Sequence, residues 1–97
     1  MEQQVMKYIQ SRQEIIDQLR GLLIDVAQLE IEPERLDPDT PLFASGFGLD
    51  SIDAVEILVG VEQLFALNLE EGSVLTPLYL RTLNTITDLV IHKRDAA

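Results

Sequence analysis

A chain of 97 residues, 46% of them hydrophobic, is long enough for one small domain with a modest core. It contains no cysteine, so disulfides and thiolate metal sites are excluded, and any thiol chemistry must come from an attached group. The formal net charge of −10 is concentrated between Glu30 and Glu71, where eleven acids accompany one base. Such a field repels nucleic acid and anionic membranes and favours basic protein partners, unless it serves solubility alone.

The first residues carry an early acid and no continuous apolar run, and no segment is as long as a transmembrane helix. We therefore expect neither a signal peptide nor a membrane span, and a cytoplasmic location is the simplest expectation. Residues 1–10 are assigned to an N-terminal extension. Within it, Val5, Met6 and Ile9 could extend a helix by about one or two turns.

The first long helix is predicted to begin at Ser11, because Ser11-Arg12-Gln13-Glu14 has the pattern of a capping box. Apolar residues then recur at steps of four and three, which is typical of the buried face of an amphipathic helix. They are Ile15, Ile16, Leu19, Leu22, Leu23, Val26 and Leu29. Gly21 lies inside this helix at some cost in propensity, and we interpret it as the mark of a close helix crossing.

The segment from Glu30 to Leu49 contains three prolines and two glycines, which exclude a long regular element. A loop of this length is unusual in a small domain unless it has a function. Its apolar side chains can anchor it on the helices; they are Ile31, Leu36, Leu42, Phe43, Phe47 and Leu49. Pro33 to Leu36 is predicted to form a single helical turn, with proline tolerated at its first position.

Asp50 is predicted to cap a second helix, because its carboxylate can accept the orphan backbone N–H groups of the first turn. Asp53 then falls at the third helical position, which gives an acidic variant of the capping box. Ser51 becomes the first helical residue, and its hydroxyl lies at the positive end of the helix dipole, where an attached phosphate is well placed. An arbitrary Asp-Ser pair would merely begin a helix, so the surrounding residues must show whether Ser51 also has a function.

The second helix is predicted to extend to Phe65 and carries two apolar stripes. The first has the spacing of a core face and consists of Ala54, Ile57, Leu58, Val61 and Phe65. The second consists of Ile52, Val55 and Val59, interleaved with Asp53, Glu56 and Glu62. These acids oppose full burial, so the second stripe is predicted to be an exposed apolar strip in an acidic frame, typical of a partner-binding surface. The alternative is a slightly wider core face.

The last third of the chain is predicted to contain one short and one longer helix. After a loop at Glu70–Ser73, Val74–Leu80 is at most a short helix with Pro77 in its first turn. Thr82 is predicted to cap the last helix, whose apolar contacts are Leu83, Ile86, Leu89, Val90 and Ile91. Lys93 and Arg94 lie near its end, where positive charge complements the dipole, and residues 95–97 are expected to fray.

The predicted fold class is all-α. We expect a small bundle of three main helices plus one short helix, with a long loop between the first and second helices. The domain is assigned to residues 11–94, between the N-terminal extension and the frayed tail.

No catalytic or metal site is predicted. Ser51 lacks the Gly-x-Ser-x-Gly elbow of a hydrolase, and the single histidine, His92, lies near the C-terminus as a solvated helix-end residue. The segment that begins at Asp37 briefly resembles a calcium loop. Leu42 occupies its sixth position, where glycine is required, and Gly48 occupies its twelfth, where glutamate is required, so that interpretation fails.

Gly48-Leu49-Asp50-Ser51-Ile52 resembles the prosthetic-group attachment motif of acyl carrier proteins, in which Gly-x-Asp-Ser-(Leu/Met/Ile) opens the second helix. Asp53, Val55, Glu56 and Phe65 follow at the spacing of that family, and the anchored first loop is similar too. The resemblance extends loosely over the domain from Ser11 to Arg94.

The resemblance implies a carrier with no catalytic activity, which holds acyl intermediates as thioesters on a 4'-phosphopantetheine arm attached to Ser51. It implies that a phosphopantetheinyl transferase attaches the arm from coenzyme A, and that Asp50 helps the transferase to place its metal and cofactor. The residues implied in partner binding are Ile52, Asp53, Val55, Glu56, Val59 and Glu62.

The implied partners are acyl-transferring and chain-elongating enzymes with basic docking patches, in fatty acid, polyketide or related lipid biosynthesis. The implied cargo is an acyl chain that the apolar walls of the bundle could receive, and a monomer is expected. Two departures from the family favour a specialised carrier: Gln63 and Leu64 stand where many fatty-acid carriers have acids, and Val74–Leu80 is unusually apolar.

Two alternatives stay open. One is a peptidyl or D-alanyl carrier protein, although Gly48-Leu49-Asp50 favours the acyl type. The other is a small acidic helical adaptor that binds a partner through the second helix and carries no prosthetic group.

Overall fold

The computed structural model describes residues 2–43, 47–69 and 79–96. Three α-helices account for most of them: α1 (Glu2–Ala27), α2 (Ser51–Phe65) and α3 (Leu83–Ala96). The described residues contain no strand, only an isolated parallel bridge between Phe43 and Leu49. The predicted all-α fold class is confirmed. The loop predicted at 70–73 and most of the short helix predicted at 74–80 lie outside the described residues.

Helix α1 begins at Glu2, so the start predicted at Ser11 is wrong. The segment before Ser11 lacks proline and glycine and is rich in residues of good helix propensity, so the helix continues through it. The predicted buried face is confirmed, since Ile15, Leu19 and Leu23 lie in the core. The remaining members of the stripe are Ile16, which is buried, and Leu22, Val26 and Leu29, which are half-buried.

One core connects the three helices, because α1 packs against both α2 and α3. From α2 the core receives Ile57, Val61 and Phe65, and from α3 it receives Leu83, Ile86, Leu89 and Val90. Arg12 ties α1 to α3 at the surface: its guanidinium donates to the Asp88 carboxylate over 2.8 Å and to the Asn84 side-chain oxygen over 3.2 Å.

The long first loop is anchored as predicted. Leu36 and Leu42 are completely buried, and Ile31, Phe43, Phe47 and Leu49 pack against the core from its edge. The predicted single helical turn is confirmed as a 3-10 turn at Pro33–Arg35. The Nε–H of Arg20 donates to the Leu36 carbonyl over 3.1 Å, so α1 also holds the loop through a hydrogen bond.

The end of this loop sets the position at which α2 begins. The N–H of Phe47 donates to the Pro41 carbonyl over 3.1 Å, and the N–H of Leu49 donates to the Leu42 carbonyl over 3.0 Å. Gly48 lies between these bonds with φ 67°, a left-handed conformation that glycine adopts without strain. Since Leu42 is itself buried, the residue before Asp50 is fixed to the core.

Helix α3 begins with a reciprocal cap, which confirms the role predicted for Thr82. The N–H of Thr85 donates to the Thr82 hydroxyl over 3.1 Å, and the N–H of Thr82 donates to the Thr85 hydroxyl over 2.9 Å. A threonine therefore takes the place of the usual Glu or Gln of a capping box. The helix ends at Ala96, and Lys93 and Arg94 lie in its last turn as predicted.

The close helix crossing involves Gly60 and not Gly21, so the interpretation of Gly21 was wrong. A Cβ atom at position 21 would have no neighbour within 4 Å, whereas one at position 60 would overlap the Leu22 side chain of α1. Both glycines line an open groove of about 480 Å³ between α1 and α2, but only Gly60 makes room for a partner side chain.

We predict opposite outcomes when each of these glycines is replaced by alanine. Gly21→Ala should raise the free energy of unfolding by about 0.5–1 kcal/mol, because alanine has the better helix propensity and its methyl group meets nothing. Gly60→Ala should gain less or become destabilising, because Leu22 must move away from the new methyl group. Urea unfolding of both variants measures the difference, and equal gains would show that the crossing at Gly60 is loose.

Candidate functional site

The start of α2 is held by a reciprocal pair of hydrogen bonds, as predicted. The N–H of Asp53 donates to the Asp50 carboxylate over 3.0 Å, and the N–H of Asp50 donates to the Asp53 carboxylate over 3.1 Å. Asp50 has the extended backbone of an N-cap residue, with φ −109° and ψ −174°. The acidic capping box is therefore confirmed, and it fixes the first turn of the helix.

Ser51 is the first residue of α2, and it is exposed to solvent. In a helix, the N–H groups of the first turn have no intrahelical partner, and Asp50 satisfies only that of Asp53. The N–H groups of Ser51 and Ile52 therefore have no partner within the helix, and they are available to a group attached to the serine. Together with the helix dipole they would stabilise a phosphodiester, so the residues present fit a phosphate-linked group.

The apolar strip predicted on α2 is exposed. We use the name α2 strip for Ile52, Val55 and Val59, whose exposed fractions are 69%, 60% and 45%. The core stripe of the same helix points inward, with Ile57, Val61 and Phe65 buried. The alternative of a wider core face is therefore wrong, and the α2 strip begins beside the exposed serine.

The acids around the α2 strip are not equivalent. Glu56 is exposed, whereas Asp53 is half-buried and its carboxylate is already occupied in the capping box. Glu62 is also half-buried, and its carboxylate accepts the Leu69 N–H over 3.0 Å. Its carbonyl also accepts the N–H of Leu67 over 3.0 Å, so Glu62 closes the C-terminal end of α2.

Sequence reasoning missed this role of Glu62. The chain turns at Ala66, which has φ 53° in the left-handed region where glycine or asparagine is usual. An alanine gives no sequence signal for such a turn, so the return of Leu69 toward Glu62 could not be predicted from the residue types.

The described part of the chain contains no group of three or more His, Cys, Asp or Glu side chains that could hold a metal ion. His92 is exposed near the end of α3, as predicted. Among the helices of the described residues, none has the length and apolar character needed to span a bilayer.

Residues 17–90 match the protein family described as "Phosphopantetheine attachment site". The chain belongs to this family. It is a phosphopantetheine-binding carrier protein of the acyl carrier type and not an enzyme, and phosphopantetheine is its covalently attached prosthetic group. As a carrier of this type it interacts with an acyl cargo and with partner enzymes.

Two similar proteins are acyl carrier proteins. The one from Thermosynechococcus vestitus (strain NIES-2133 / IAM M-273 / BP-1) is 25% identical over 83 residues, which cover 86% of this chain and 95% of that protein. The one from Onion yellows phytoplasma (strain OY-M) is 27% identical over 78 residues, which cover 80% of this chain and 91% of that protein.

We predict that Asp50→Ala lowers the free energy of unfolding by about 1 kcal/mol, because it removes the side chain that accepts the Asp53 N–H. Asp53→Ala should have a smaller effect of the same sign, and the double variant should lose less than the sum, since both residues belong to one box. Urea unfolding checks these values. Glu56→Gln on the exposed face is the control and should stay within about 0.5 kcal/mol of the parent; additive losses at Asp50 and Asp53 would contradict the coupling.

Proposed function

We propose that Ser51 is the residue to which the phosphopantetheine is attached, and that the α2 strip beside it binds the enzymes that load and use the carrier. The observation that carries the proposal is the exposed position of Ser51 as the first residue of α2, directly after the Asp50 cap. A hydroxyl in this position is open to a modifying enzyme and lies beside the unpaired N–H groups of the first helical turn, which stabilise a phosphate.

In this proposal the capping box positions the serine and does no chemistry. The hydrogen bonds between Asp50 and Asp53 fix the first turn of α2. The backbone of Ser51 is therefore held in place, and its hydroxyl can point in only a limited set of directions. That hydroxyl gives up its proton and forms the ester bond to phosphorus, while the nucleotide part of coenzyme A leaves. When bound, the prosthetic group supplies a thiol that holds the acyl chain as a thioester.

We expect the unmodified chain, co-expressed with a promiscuous phosphopantetheinyl transferase, to gain the mass of one phosphopantetheine group. Ser51→Ala should abolish the gain completely, because no other atom can replace the hydroxyl oxygen. Intact-mass spectrometry measures the result. Ser11→Ala is the matched control, since Ser11 is also exposed but lies within α1, and it should be modified like the parent.

Two results would count against Ser51. If Ser51→Ala is still modified, the attachment residue is not Ser51. If the parent is not modified under conditions that load a known carrier, the adaptor alternative is favoured. The exposed α2 strip is the observation that keeps an adaptor worth testing, because it would bind a partner with or without a prosthetic group.

The surface proposed for partners combines the α2 strip with the acids beside it. Glu56 is the acid best placed to meet a basic patch, since it is exposed and lies one residue after Val55. Asp53 contributes its charge although its carboxylate accepts a hydrogen bond in the capping box. The carboxylate of Glu62 already accepts the Leu69 N–H. Partners of this surface are the phosphopantetheinyl transferase and acyl-transferring or chain-elongating enzymes of cytoplasmic fatty acid or polyketide biosynthesis, with basic residues around an apolar centre.

Reversal of the charge at Glu56 tests the electrostatic part of this surface. Glu56→Lys should slow modification by the transferase roughly two- to tenfold at low salt, because a charge at the rim of an interface acts mainly on association. The difference should shrink as salt is raised. The rate at which each protein gains the mass of the prosthetic group measures this difference.

Glu14→Lys is the control for the charge reversal, since it makes the same change at an exposed position on α1 and should leave the rate unchanged. Circular dichroism should show the same helix content for both variants. Equal rates for Glu56→Lys and the parent at low salt would remove the electrostatic argument.

A further inference from the structure

Asn84, the second residue of α3, makes hydrogen bonds to two other parts of the chain. Its backbone N–H, one of the donors that the first turn of a helix leaves free, donates to the Pro38 carbonyl over 3.1 Å. Its side-chain N–H donates to the Asp39 carboxylate, and its side-chain oxygen accepts from the Arg12 guanidinium over 3.2 Å. Asn84 therefore joins α3 to the first loop and to α1 at one point.

The amide side chain is what this position requires. A carboxylate offers only acceptors and a guanidinium only donors, so a side chain between Asp39 and Arg12 needs a donor on one side and an acceptor on the other. An amide has both, whereas an aspartate at position 84 would offer acceptors alone. Both bonds have a charged partner, which makes them stronger than bonds between neutral groups. The contact between α3 and the first loop therefore depends on the residue type at position 84.

A short series of backbone bonds continues from this contact to the start of α2. The N–H of Leu42 donates to the Arg81 carbonyl over 2.9 Å, so the loop is bonded a second time to the segment that leads into α3. The Leu42 carbonyl in turn accepts the N–H of Leu49 over 3.0 Å. Leu49 directly precedes Asp50, the cap of α2, so the start of α3 and the start of α2 are connected through the first loop.

We propose that Asn84 is a positioning residue for the attachment of phosphopantetheine: it fastens the first loop to α3 and so keeps the start of α2 in one place. The inference rests on the attachment at Ser51 proposed above and adds to it a residue on a different helix. Loss of the contact should lower kcat for modification, because kcat depends on the orientation of the hydroxyl. It should leave KM for the carrier nearly unchanged, because the α2 strip is not altered.

Asn84→Asp separates the loop contact from the stability of the helices. The new carboxylate can still accept from Arg12, and a negative charge in the first turn of α3 is favoured by the helix dipole. Toward the loop, however, it replaces a donor by an acceptor and brings two carboxylates together. Addition of Asp39→Asn places the amide on the loop side instead, so a donor again faces a carboxylate and the contact should return.

Amide hydrogen exchange of the unmodified chain, measured by NMR, tests the contact without any reference to the prosthetic group. In Asn84→Asp the N–H groups of Leu42 and Leu49 should exchange about three- to tenfold faster than in the parent, because a hydrogen bond that holds the loop is lost. The double variant with Asp39→Asn should restore the slow exchange. The N–H of Ile86, which donates to the Thr82 carbonyl within the start of α3, should exchange no faster in either protein.

The kinetics of modification by a promiscuous phosphopantetheinyl transferase test the positioning role. With the carrier as the varied substrate, Asn84→Asp should lower kcat roughly three- to tenfold and change KM by less than about twofold. The double variant should recover kcat. A merely structural role would change neither constant as long as the chain stays folded, and circular dichroism should show unchanged helix content.

Two single variants are the controls. Asp88→Asn alters the other carboxylate that Arg12 binds and leaves the bonds between Asn84 and the first loop intact. Asp39→Asn alone removes the same charge as the double variant does, while its amide oxygen can still accept from Asn84. Both should remain within about twofold of the parent in the exchange of Leu49 and in kcat.

Several outcomes would overturn the inference. Unchanged exchange of Leu42 and Leu49 in Asn84→Asp would exclude the loop contact, and equally faster exchange of Ile86 would show a general loss of stability. Faster exchange with unchanged kcat would leave Asn84 a structural role only, as would a double variant that does not recover kcat. In each of these cases Ser51 remains the attachment residue. A parent modified at another residue would instead remove the proposed function, and the positioning role with it, whatever the exchange shows.

Discussion

Two hydrogen bonds between the backbone and the carboxylates of Asp50 and Asp53 determine where α2 begins, and the proposed site depends on that position. They satisfy N–H groups that a helix cannot satisfy itself, and they place Ser51 as its first exposed residue. If the helix began one residue later, Ser51 would occupy the N-cap position, where its hydroxyl would be drawn to the N–H groups of the first turn.

The first loop supports this arrangement because it is fixed from two sides. Leu36 and Leu42 anchor it in the core, and the bond from Leu49 to the Leu42 carbonyl transmits that anchorage to the residue before Asp50. A long loop without such contacts would leave the start of α2 free to move. The hydrophobic core and the exposed serine are therefore connected through a short stretch of backbone.

Local chemistry made the start of α2 predictable, whereas the wrong predictions at Ser11 and Gly21 have two different causes. Asp50 and Asp53 interact within one helical turn, so their residue types and spacing were sufficient. The pattern at Ser11 is just as local, but a capping box requires that the helix does not continue before it, and the residues from Gln3 to Gln10 allow it to continue. The choice between Gly21 and Gly60 depends on where Leu22 lies in space, which residue types do not reveal.

The chain leaves apolar side chains exposed at two places, and the physical reasons differ. On α2, the acids interleaved with Ile52, Val55 and Val59 prevent burial, so exposure of the α2 strip is encoded in the sequence itself. On α1, Lys7 is the one charged residue of 3–10 and lies two positions from Val5 and Ile9, on another side of the helix; Val5, Tyr8 and Ile9 are exposed although no charge is interleaved with them on their own face. The first surface is therefore polar at its edges and suited to transient partners, whereas the second gains free energy from any apolar cover.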